Sequence, residues 1–592
     1  MLCVVMALGV ALIAFGCSGS RAEASWAQAI FWLGFLLLLV PSSMRLCMEN
    51  VARQERLGIL ITMAFGYYLI KVLYSPLFYA FSDELQHWRS ANNIIQTNML
   101  FQENPSLQAS TFFPGLEIVT DALIKTTGLS IYQAGTILIG VVHSLMVVAL
   151  FLLYERLSRS AFIGSIAALV YFASPSFMLY VSQFAYEPLA LSLFYFGLYL
   201  LAIRTYASQS THLIYLTLTI LLFLFAVIIT HHVTSYFFAI LLSLWMVFAL
   251  LNRNPKEKRN IVAGFAFLAI AGCVLWPVIT GSLPLVLEYI GTPIQRAING
   301  VFGLAAGTDA PREFFQQGGN VTPLWLQIPS FISVVLILLT LPLGLLALRK
   351  KMMVNNLVLT LCFMSLGFVV AQVLRLAPTG LAMTNRLASP IFLPLSFVLA
   401  VGAIRYIRPY RFGRWWRMMT LLCWVCLINI GSVTAIIASW QLPGPHDANV
   451  YTRTIDKVGI TSALWAKKTL GPNNRFGADF INVMIMASYG EQNVITQEND
   501  FFAETSVFGA SEFTEIEKNY IRNRGVEYLV VDNRLFNKLV YTPQLLNPES
   551  FPTKLDGQES ISRIFDAGRI SIYHLGFVSP FGDSLKLRSE TQ

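Results

Sequence analysis

The sequence predicts a polytopic α-helical membrane protein of about 13 transmembrane helices, followed by a C-terminal extracytoplasmic α/β domain. Composition is the first reason for this prediction. Of the 592 residues, 56% are hydrophobic and 12% are charged, whereas soluble domains carry roughly 25% charged residues. The second reason is that long apolar stretches recur throughout residues 1–440, while residues 441–592 have the composition of a water-soluble domain. Together these observations exclude a cytosolic enzyme, a disordered chain and a disulfide-stapled secreted scaffold.

The predicted transmembrane spans follow from length and apolarity, since a span needs about 20 mostly apolar residues. The first stretch lacks a basic N-terminal region, which favours an uncleaved helix over a signal peptide. The predicted spans are 2–19, 26–44, 57–79, 131–153, 161–181, 187–203, 213–230, 233–251, 261–280, 326–348, 355–373, 388–404 and 418–439.

Basic residues are concentrated in alternate loops between these spans. Cytoplasmic loops of membrane proteins carry an excess of Lys and Arg. We therefore predict a multi-pass protein of the cell membrane, with a cytoplasmic N-terminus and with the segment after Trp440 outside. The net charge of +9 follows from this loop pattern and indicates no nucleic-acid partner. The predicted cytoplasmic cations include Arg45, Arg53, Arg56, Arg156, Arg159, Arg204, Arg259, Arg349, Lys350, Lys351, Arg405, Arg408, Arg414 and Arg417.

The predicted boundaries divide the chain into three parts. Residues 1–56 hold two N-terminal transmembrane helices, and residues 57–440 form the main membrane domain. This domain has two outer loops, 82–130 and 281–325, of which the second is rich in Gly and Pro. Residues 441–592 form the soluble domain, in which 526–532 and 569–574 are predicted strands and 511–523 is a predicted helix with Ser511 as its N-cap.

An acidic pair, Asp83 and Glu84, directly follows the third predicted span. A carboxylate at the membrane edge is costly unless solvated or paired, which makes this pair a candidate catalytic site. The alternative is that the pair caps a helix running to Arg89. His87 and Arg89 suit the binding of a ring or a phosphate. Lys71, one turn inside the span, is either a snorkelling side chain or a counter-ion to Asp83.

Five further candidate residues lie near predicted outer ends of spans. Glu187 precedes Pro188 at a helix start, where an acid also suits the helix dipole. His231 and His232 occupy an outer turn and could hydrogen-bond or shuttle a proton. Arg375 and Arg386 bracket a short outer loop, where guanidinium groups suit a lipid phosphate. For each residue the alternative is a solvated or packed position without a catalytic role.

The first outer loop also contains a predicted amphipathic helix. Glu117, Asp121 and Lys125 recur every four residues, with apolar residues between them, and Pro114-Gly115 would start the helix. Such a helix suits a position in the membrane interface.

Motifs of soluble enzymes are absent from the sequence. It contains no GxxxxGK[ST], no GxGxxG after a strand and no GxSxG, so a nucleotide is not an evident substrate. The histidine spacings do not fit a zinc site, and we predict no cofactor. A site on the outer face would more sensibly use a donor carried by a lipid.

Short motifs resemble those of the GT-C superfamily of membrane glycosyltransferases, which includes protein O-mannosyltransferases and the lipid A aminoarabinose transferase. The motifs are the acidic pair, the run from Phe113-Pro114-Gly115 to Gly128-Leu129-Ser130, and the turn from Ala173-Ser-Pro175 to Glu187. The resemblance covers residues 57–405. The two helices within residues 1–56 precede the usual first span of the family, and no motif fixes the phosphate-binding basic residues.

The resemblance implies a mechanism and a donor. Asp83 or Glu84 matches the carboxylate that deprotonates the acceptor, and Glu187 matches a second acidic position. Family donors are polyprenyl-phosphate sugars, and transfer proceeds by single displacement with inversion. The predicted function is therefore a hexosyl- or pentosyl-transferase that moves a sugar to a glycan, lipid or protein acceptor of the cell envelope.

Other functions remain open at this point. A lipid-linked polysaccharide polymerase or ligase would rely on Arg375, Arg386, His231 and His232 instead of a first-loop acid. A transporter or flippase of envelope precursors would show matching broken helices in two halves, which the sequence does not show. A non-catalytic scaffold for envelope assembly is the third alternative.

Overall fold

The computed structural model describes residues 1–104, 107–207, 212–252, 257–312, 314–317, 320–408, 413–434, 442–444, 455–495, 503–510, 512–536 and 551–578. These residues form two compact units. The membrane unit comprises 1–73, 112–315 and 322–443, and the second unit comprises 74–111, 316–321 and 444–592. This division differs from the sequence-based boundaries, because the start of the first outer loop belongs to the same unit as the C-terminal segment.

The membrane unit is a bundle of helices in which charged residues are confined largely to the ends. Twelve helical segments of the described chain are long and apolar enough to cross a bilayer. The helices of this unit are α1 Leu2–Arg21, α2 Ala27–Cys47, α3 Arg53–Tyr74, α5 Gly115–Thr127, α6 Ile131–Ser158, α7 Ala161–Tyr171, α8 Tyr186–Tyr206, α9 Leu213–Thr230, α10 His232–Leu251, α11 Arg259–Ile279, α12 Leu283–Ala306, α13 Leu324–Met352, α14 Asn356–Ser365, α15 Gly367–Leu376, α16 Leu381–Gly402 and α17 Arg414–Val433. Helices α14 and α15 together form one span, and α16 continues as a π-helix over Ala403–Ile407.

Two elements of this unit differ from the sequence-based expectation. The predicted span 161–181 is helical only as α7, which has 11 residues and is followed by turns. The predicted outer loop 281–325 contains the 24-residue helix α12. Gly281 and Gly307 flank α12 with φ of 70° and 72°, a conformation that glycine adopts without strain and that ends a helix.

The first two helices pack at very short range through glycine. A Cβ atom added to Gly9 would lie 2.8 Å from the Gly34 carbonyl oxygen, and one added to Gly34 would lie 2.5 Å from the Gly9 oxygen. Small residues allow such backbone contact in membrane helices, where dispersion forces rather than the hydrophobic effect hold helices together. We expect a Gly34→Leu substitution to separate α1 from α2.

The second unit contains a mixed five-stranded sheet, as the predicted α/β domain requires. Its helices are α4 Ser82–Thr97, α18 Lys457–Leu470, α19 Phe480–Ser488, α20 Glu515–Arg522 and α21 Phe551–Asp556, and its sheet strands are β3 Arg475–Gly477, β4 Asn493–Val494, β5 Tyr528–Asp532, β6 Ile561–Asp566 and β7 Ile570–Leu575. The strand order is β4-β3-β5-β7-β6, with β3 parallel to β4 and β5 and with β7 antiparallel to β5 and β6. A short hairpin, β1 Gln316–Gln317 and β2 Asn320–Val321, also belongs to this unit.

The two strands and the helix predicted in the C-terminal domain are present, but their boundaries differ from the predicted ones. The predicted strands 526–532 and 569–574 correspond to β5 and β7. The predicted helix 511–523 is the shorter α20, whose N-cap is Thr514; the Thr514 hydroxyl accepts the Ile516 N–H. Ser511 lies outside the described residues. Val526, Leu529 and Val531 are buried in the core beneath the sheet.

Candidate functional site

The two carboxylates at the start of α4 have different surroundings. Glu84 is fully buried, and its Oε2 accepts the backbone N–H groups of Ala80 and Phe81 at 3.1 and 3.3 Å. This arrangement satisfies amide groups at the helix start, as in a capping box. Asp83 is exposed. The capping alternative therefore accounts for Glu84, and Asp83 is the member of the pair that solvent or a ligand can reach.

Helix α4 is fixed to the C-terminal part of its own unit. Arg89 is 8% exposed, and its guanidinium donates to the Ala487 carbonyl at 2.7 Å, at the end of α19. Burial lowers the pKa of Arg89, and nearby Glu491 opposes this effect. His87 is 1% exposed, and the Trp88 ring lies 4.8 Å from that of Tyr489. Arg89 is thus engaged with protein backbone rather than presented to solvent.

Glu491 is the centre of this attachment. Its Oε1 accepts Asn92 Nδ2 at 2.7 Å, Gln96 Nε2 at 3.0 Å and Lys467 Nζ at 2.8 Å. Burial alone would raise the pKa of Glu491, but the hydrogen bonds from Lys467, Asn92 and Gln96 outweigh it and lower the pKa. The start of the first outer loop is therefore anchored to the α/β domain by a buried, ionised carboxylate.

In the membrane unit, a cluster of aromatic and histidine rings lies at the predicted outer end. The Tyr186 ring, at the start of α8, lies 4.4 Å from His231 and 6.2 Å from His232. His231 Nδ1 and Thr234 Oγ1 are 2.7 Å apart. Glu187 follows Tyr186 in the first turn of α8. The structure thus brings three of the predicted site residues, Glu187, His231 and His232, to adjoining helix starts.

Helix α12 extends this cluster to a fourth predicted residue. The Tyr289 ring lies 4.9 Å from His232, and the Arg386 guanidinium lies 3.9 Å from the Tyr289 ring centre. Phe113, just before α5, lies 5.0 Å from His232 on another side. His232 is thus enclosed by rings, with the Arg386 charge beyond Tyr289.

His232 is the least satisfied group of this cluster. It is 1% exposed, and among the described residues neither of its ring nitrogens has a hydrogen-bond partner. Leaving a buried polar group unpaired costs about 1–3 kcal/mol. Such groups in folded proteins are expected to meet a water, an ion or a ligand, which makes His232 a candidate contact for substrate.

The membrane unit also contains an apolar cavity of about 330 Å³. Its walls come from α13, α15, α16 and α17, and its polar groups include Arg375 and Gln372. Arg375 Nε donates to Thr384 Oγ1 at 3.2 Å, which positions the guanidinium between α15 and α16. The aromatic lining consists of Phe314, Phe315, Phe331, Phe368 and Phe392. A cavity of this kind can hold an apolar chain with an anionic head at the arginine.

A second arginine, Arg312, lies next to Arg375 in the fold. The Arg312 backbone N–H donates to the Leu376 carbonyl at 2.9 Å. Its side-chain Nη1 is buried and has no partner among the described residues. Burial lowers the pKa of Arg312, yet a guanidinium stays protonated at neutral pH. Arg375 in the cavity lining and Arg312 next to Leu376 of that lining are therefore two cations available to an anionic ligand.

The predicted interfacial helix is α5, and Pro114 is its N-cap. Unlike the polar residues of an amphipathic helix that lies on a protein surface, the two acidic residues of α5 are buried. Glu117 and Asp121 are 1% and 8% exposed, whereas Ile118 and Val119 are 38% and 41% exposed. Two acidic side chains therefore face the protein interior and two apolar side chains face outward, which suits a helix in contact with lipid. Leu116 is buried, and the Lys125 side chain is exposed.

The remaining predicted site residue is Lys71, and the remaining expectation concerns a bound metal ion. Lys71 is buried in the last turn of α3, within the membrane unit. Asp83, Glu84, His87 and Arg89 belong to the other unit. In the described ranges, no group of three or more His, Cys, Asp or Glu side chains could hold a metal ion.

Sequence reasoning missed the residues that complete the outer cluster. Phe113 and Tyr186 lie within the motifs of the resemblance but were not proposed as site residues, and Tyr289 and Arg312 were not singled out. Isolated aromatic residues and one loop arginine are common in membrane proteins. Tyr289 was hidden by the interpretation of 281–325 as a loop. The signals that could have found α12 are Ser282 at its N-cap, Pro284 in its first turn and Gly307 at its C-terminal end.

Comparisons with known proteins give matches in structure only. Neither a family model nor a curated protein sequence matches the chain. An oligosaccharyltransferase of Archaeoglobus fulgidus in its apo form is similar with a TM-score of 0.56 and 11% identity, covering 82% of this chain and 70% of that one. A structure of the archaeal oligosaccharyltransferase AglB from the same organism, with an inhibitory peptide and a dolichol-phosphate, gives 0.55 at 11% identity, with coverages of 90% and 75%.

ArnT from Cupriavidus metallidurans, bound to undecaprenyl phosphate, gives a TM-score of 0.53 at 11% identity and covers 88% of this chain and 99% of that one. These proteins are GT-C glycosyltransferases. The chain therefore has a GT-C-type fold. The predicted fold class is confirmed, and the resemblance to the GT-C superfamily is confirmed at the level of the fold. The likeness to these three structures extends over 82–90% of this chain.

Proposed function

We propose that the chain is a membrane glycosyltransferase that moves a sugar from a polyprenyl-phosphate donor to an acceptor of the cell envelope on the predicted outer face. The observation that carries this proposal is the apolar cavity with Arg375 among its lining residues. An isoprenoid chain would fill the apolar part, and the guanidinium would hold the phosphate. The GT-C-type fold supports the same conclusion, since two similar structures hold a dolichol-phosphate and an undecaprenyl phosphate.

The chemistry needs a base on one side of the sugar and cations on the other. As the acceptor oxygen bonds to the anomeric carbon, the bond from that carbon to the phosphate oxygen breaks and its electron pair stays on the phosphate. A carboxylate takes the acceptor proton, and Arg375 with Arg312 stabilises the leaving phosphate. Direct displacement inverts the anomeric centre and uses no covalent enzyme intermediate.

Asp83 is the proposed base. Asp83 is exposed and accepts the Ser82 hydroxyl at 3.3 Å, whereas Glu84 is buried and accepts two backbone amides. Glu187, His231 and His232 are proposed to contact the substrate in the membrane unit. His232 is the strongest of these because its buried nitrogens have no partner within the described chain.

The experiment is a turnover assay on purified full-length protein in nanodiscs. A panel of polyprenyl-phosphate sugars is supplied with candidate acceptors, and mass spectrometry follows release of polyprenyl phosphate. We expect donor-dependent release by the wild type and its loss in Asp83→Asn. Glu103→Gln, which removes an exposed carboxylate of the same unit, is the matched control and should retain turnover. Unchanged release in Asp83→Asn would exclude Asp83 as the base.

A lipid-linked polysaccharide polymerase or ligase is the second candidate. It is favoured by the contacts that link His232 to the Tyr289 ring and that ring to the Arg386 guanidinium. Both functions would use polyprenyl carriers. A polymerase should fail with Arg386→Ala and survive Asp83→Asn, and its product would lengthen with time. A transferase that adds a single sugar would give one product mass.

A further inference from the structure

A second cavity lies at the opposite, predicted cytoplasmic end of the membrane unit. It has a volume of about 550 Å³ and is formed where α6, α8 and α13 end and α14 begins. Pockets of roughly 300–1,000 Å³ are typical of small-molecule sites. Nothing in the proposed glycosyl transfer uses this cavity, because the donor cavity and the ring cluster belong to the other ends of these helices.

Three cations line this pocket: Arg156, Arg159 and Lys351. The described residues of its lining include no carboxylate. Glu155, which precedes Arg156, pairs with Arg53 at 2.7 and 2.8 Å. Glu257, whose charge acts on Tyr206, accepts from Trp245 and Asn356. Among the described residues, the pocket lining therefore carries three cations and no carboxylate, and the acids named above are engaged with other groups.

Neutral donors supplement the cations. The Tyr206 hydroxyl is buried at this pocket and has no hydrogen-bond partner among the described residues. The Asn355 side-chain oxygen accepts the Val358 N–H at 3.0 Å, so its amide group carries donors at the pocket wall. A phosphate, with several acceptor oxygens and a negative charge, matches this combination of guanidinium, ammonium, hydroxyl and amide groups.

The rim of the pocket favours a lipid as the source of the phosphate. Val354 lines the pocket and is 64% exposed, and the adjacent Met353 is 73% exposed. Met353 and Val354 form the turn that follows α13, and apolar side chains in such a position can insert into the head-group region of a bilayer. Basic pockets between transmembrane helices on the cytoplasmic side are suited to anionic head groups.

We propose that this pocket binds the phosphate of an anionic phospholipid head group of the cytoplasmic leaflet. Arg156, Arg159 and Lys351 contact the phosphate, Tyr206 donates to it, and the acyl chains lie along α13 beside Val354. The proposal does not depend on the proposed glycosyltransferase activity, and it rests on the orientation that the basic loops predict.

The test uses full-length protein released from bilayers of phosphatidylglycerol and phosphatidylcholine, with native mass spectrometry counting retained lipids. The test variant is Arg156→Gln/Arg159→Gln/Lys351→Gln. The matched control is Arg259→Gln/Arg349→Gln/Lys350→Gln, which removes the same charge from exposed positions of the same predicted face outside the pocket lining. Binding should weaken about fivefold for each pocket cation removed.

We expect the wild type and the control to retain phosphatidylglycerol in preference to phosphatidylcholine, and the pocket variant to lose this preference. Equal retention by the pocket variant and the control would overturn the proposal, because bulk surface charge would then explain binding. If the triple variant does not fold, Arg156→Gln/Arg159→Gln replaces it, since both residues are exposed, with Arg349→Gln/Lys350→Gln as its control.

A competition experiment with inorganic phosphate distinguishes a lipid phosphate from free phosphate as the ligand of this pocket. Displacement of bound phosphatidylglycerol by millimolar phosphate, without phosphate binding to the pocket variant, would support one phosphate site filled by a lipid. Binding of phosphate to the wild type with no preference for phosphatidylglycerol would overturn the assignment to a lipid.

Discussion

Two fully buried polar side chains at opposite ends of the membrane unit, Arg56 and His232, differ in their hydrogen bonding. At the predicted inner end, Arg56 is 1% exposed, and each of its three guanidinium nitrogens donates a hydrogen bond. At the predicted outer end, His232 is equally buried, and neither nitrogen has a partner among the described residues. The same degree of burial therefore accompanies a full set of hydrogen bonds for Arg56 and none for His232 among the described residues.

The inner end has the features of a structural network. Arg56 donates to the carbonyls of Leu46 and Val51 and to Ser165 Oγ, so it joins α3 to the end of α2 and to α7. Burial raises the pKa of Glu257, and hydrogen bonds from Trp245 and Asn356 oppose this effect. Such groups stabilise the fold because each would be costly to leave unpaired.

The outer end has the features of a binding site. Its polar groups are enclosed by aromatic rings, and its cations lie beside an apolar cavity. The difference between the ends teaches that burial alone does not identify a functional residue. Unsatisfied hydrogen-bonding capacity in a buried position is the better guide, since a ligand can supply the missing partner.

The largest expected effect is on stability, at the inner end. Arg56→Met leaves several buried carbonyls without a donor, and we expect a loss of about 3 kcal/mol or more. Thermal unfolding in detergent measures this loss. Arg45→Met removes a cation from the more exposed pair with Glu55 and should shift Tm far less. Equal shifts would contradict the structural role of Arg56.

His232→Phe is expected to have the opposite outcome. The Phe ring preserves the contacts with Phe113 and Tyr289 and removes two unpaired nitrogens, so Tm should stay or rise. Turnover should fall about 10- to 100-fold, the effect of losing one hydrogen bond to a charged group. His143→Phe, a buried histidine whose Nδ1 lies 3.3 Å from the Val181 carbonyl, is the control. Full turnover in His232→Phe would show that His232 is only a packing residue.

Arg375→Lys should weaken donor binding about tenfold, because an ammonium cannot hold a phosphate with two parallel hydrogen bonds. The measurement is KM for the polyprenyl-phosphate sugar, with kcat less affected. Arg296→Gln removes an exposed cation of the same unit and should leave KM unchanged. If both variants raise KM alike, general surface charge rather than Arg375 attracts the donor.

The smallest expected effect concerns pH and extends the comparison to the second unit. The pKa of Glu491 is lowered in the folded protein, so its contribution to stability is present above its unfolded pKa and is lost as pH falls through the folded pKa. Limited proteolysis near α4 should therefore increase at acid pH. Glu491→Gln should be more susceptible at neutral pH and less dependent on pH, and an unchanged pH profile would argue against this anchor.

The sequence predicted those features that composition and periodicity determine. Apolar stretches of 10 to 29 residues became helices α1 to α3, α6 to α11 and α13 to α17. Pro114 is the N-cap of α5, as expected. Helix α12 was missed because Pro284, Pro293 and four glycines between 291 and 307 suggested a loop, yet Pro is tolerated in the first turn and packing supports the rest.

The site was predicted only in part, because side-chain partners are set by tertiary packing. Glu84 and Asp83 are adjacent in sequence, and only the structure shows that Glu84 binds backbone amides while Asp83 is exposed. Arg89 was expected to bind a ligand, and it instead donates to the end of α19. That carbonyl is 398 residues away along the chain, beyond any local pattern.

The most direct test of the central claim is photo-crosslinking with a polyprenyl phosphate that carries a photoreactive isoprene unit, followed by peptide mapping. We predict labels on Phe331, Val334 and Phe368 in the apolar cavity, competed by unlabelled polyprenyl phosphate and reduced in Arg375→Gln. Labelling confined to the lipid-facing residues Leu218, Leu222 and Phe225 of α9, without competition, would contradict the assignment of this cavity to the donor.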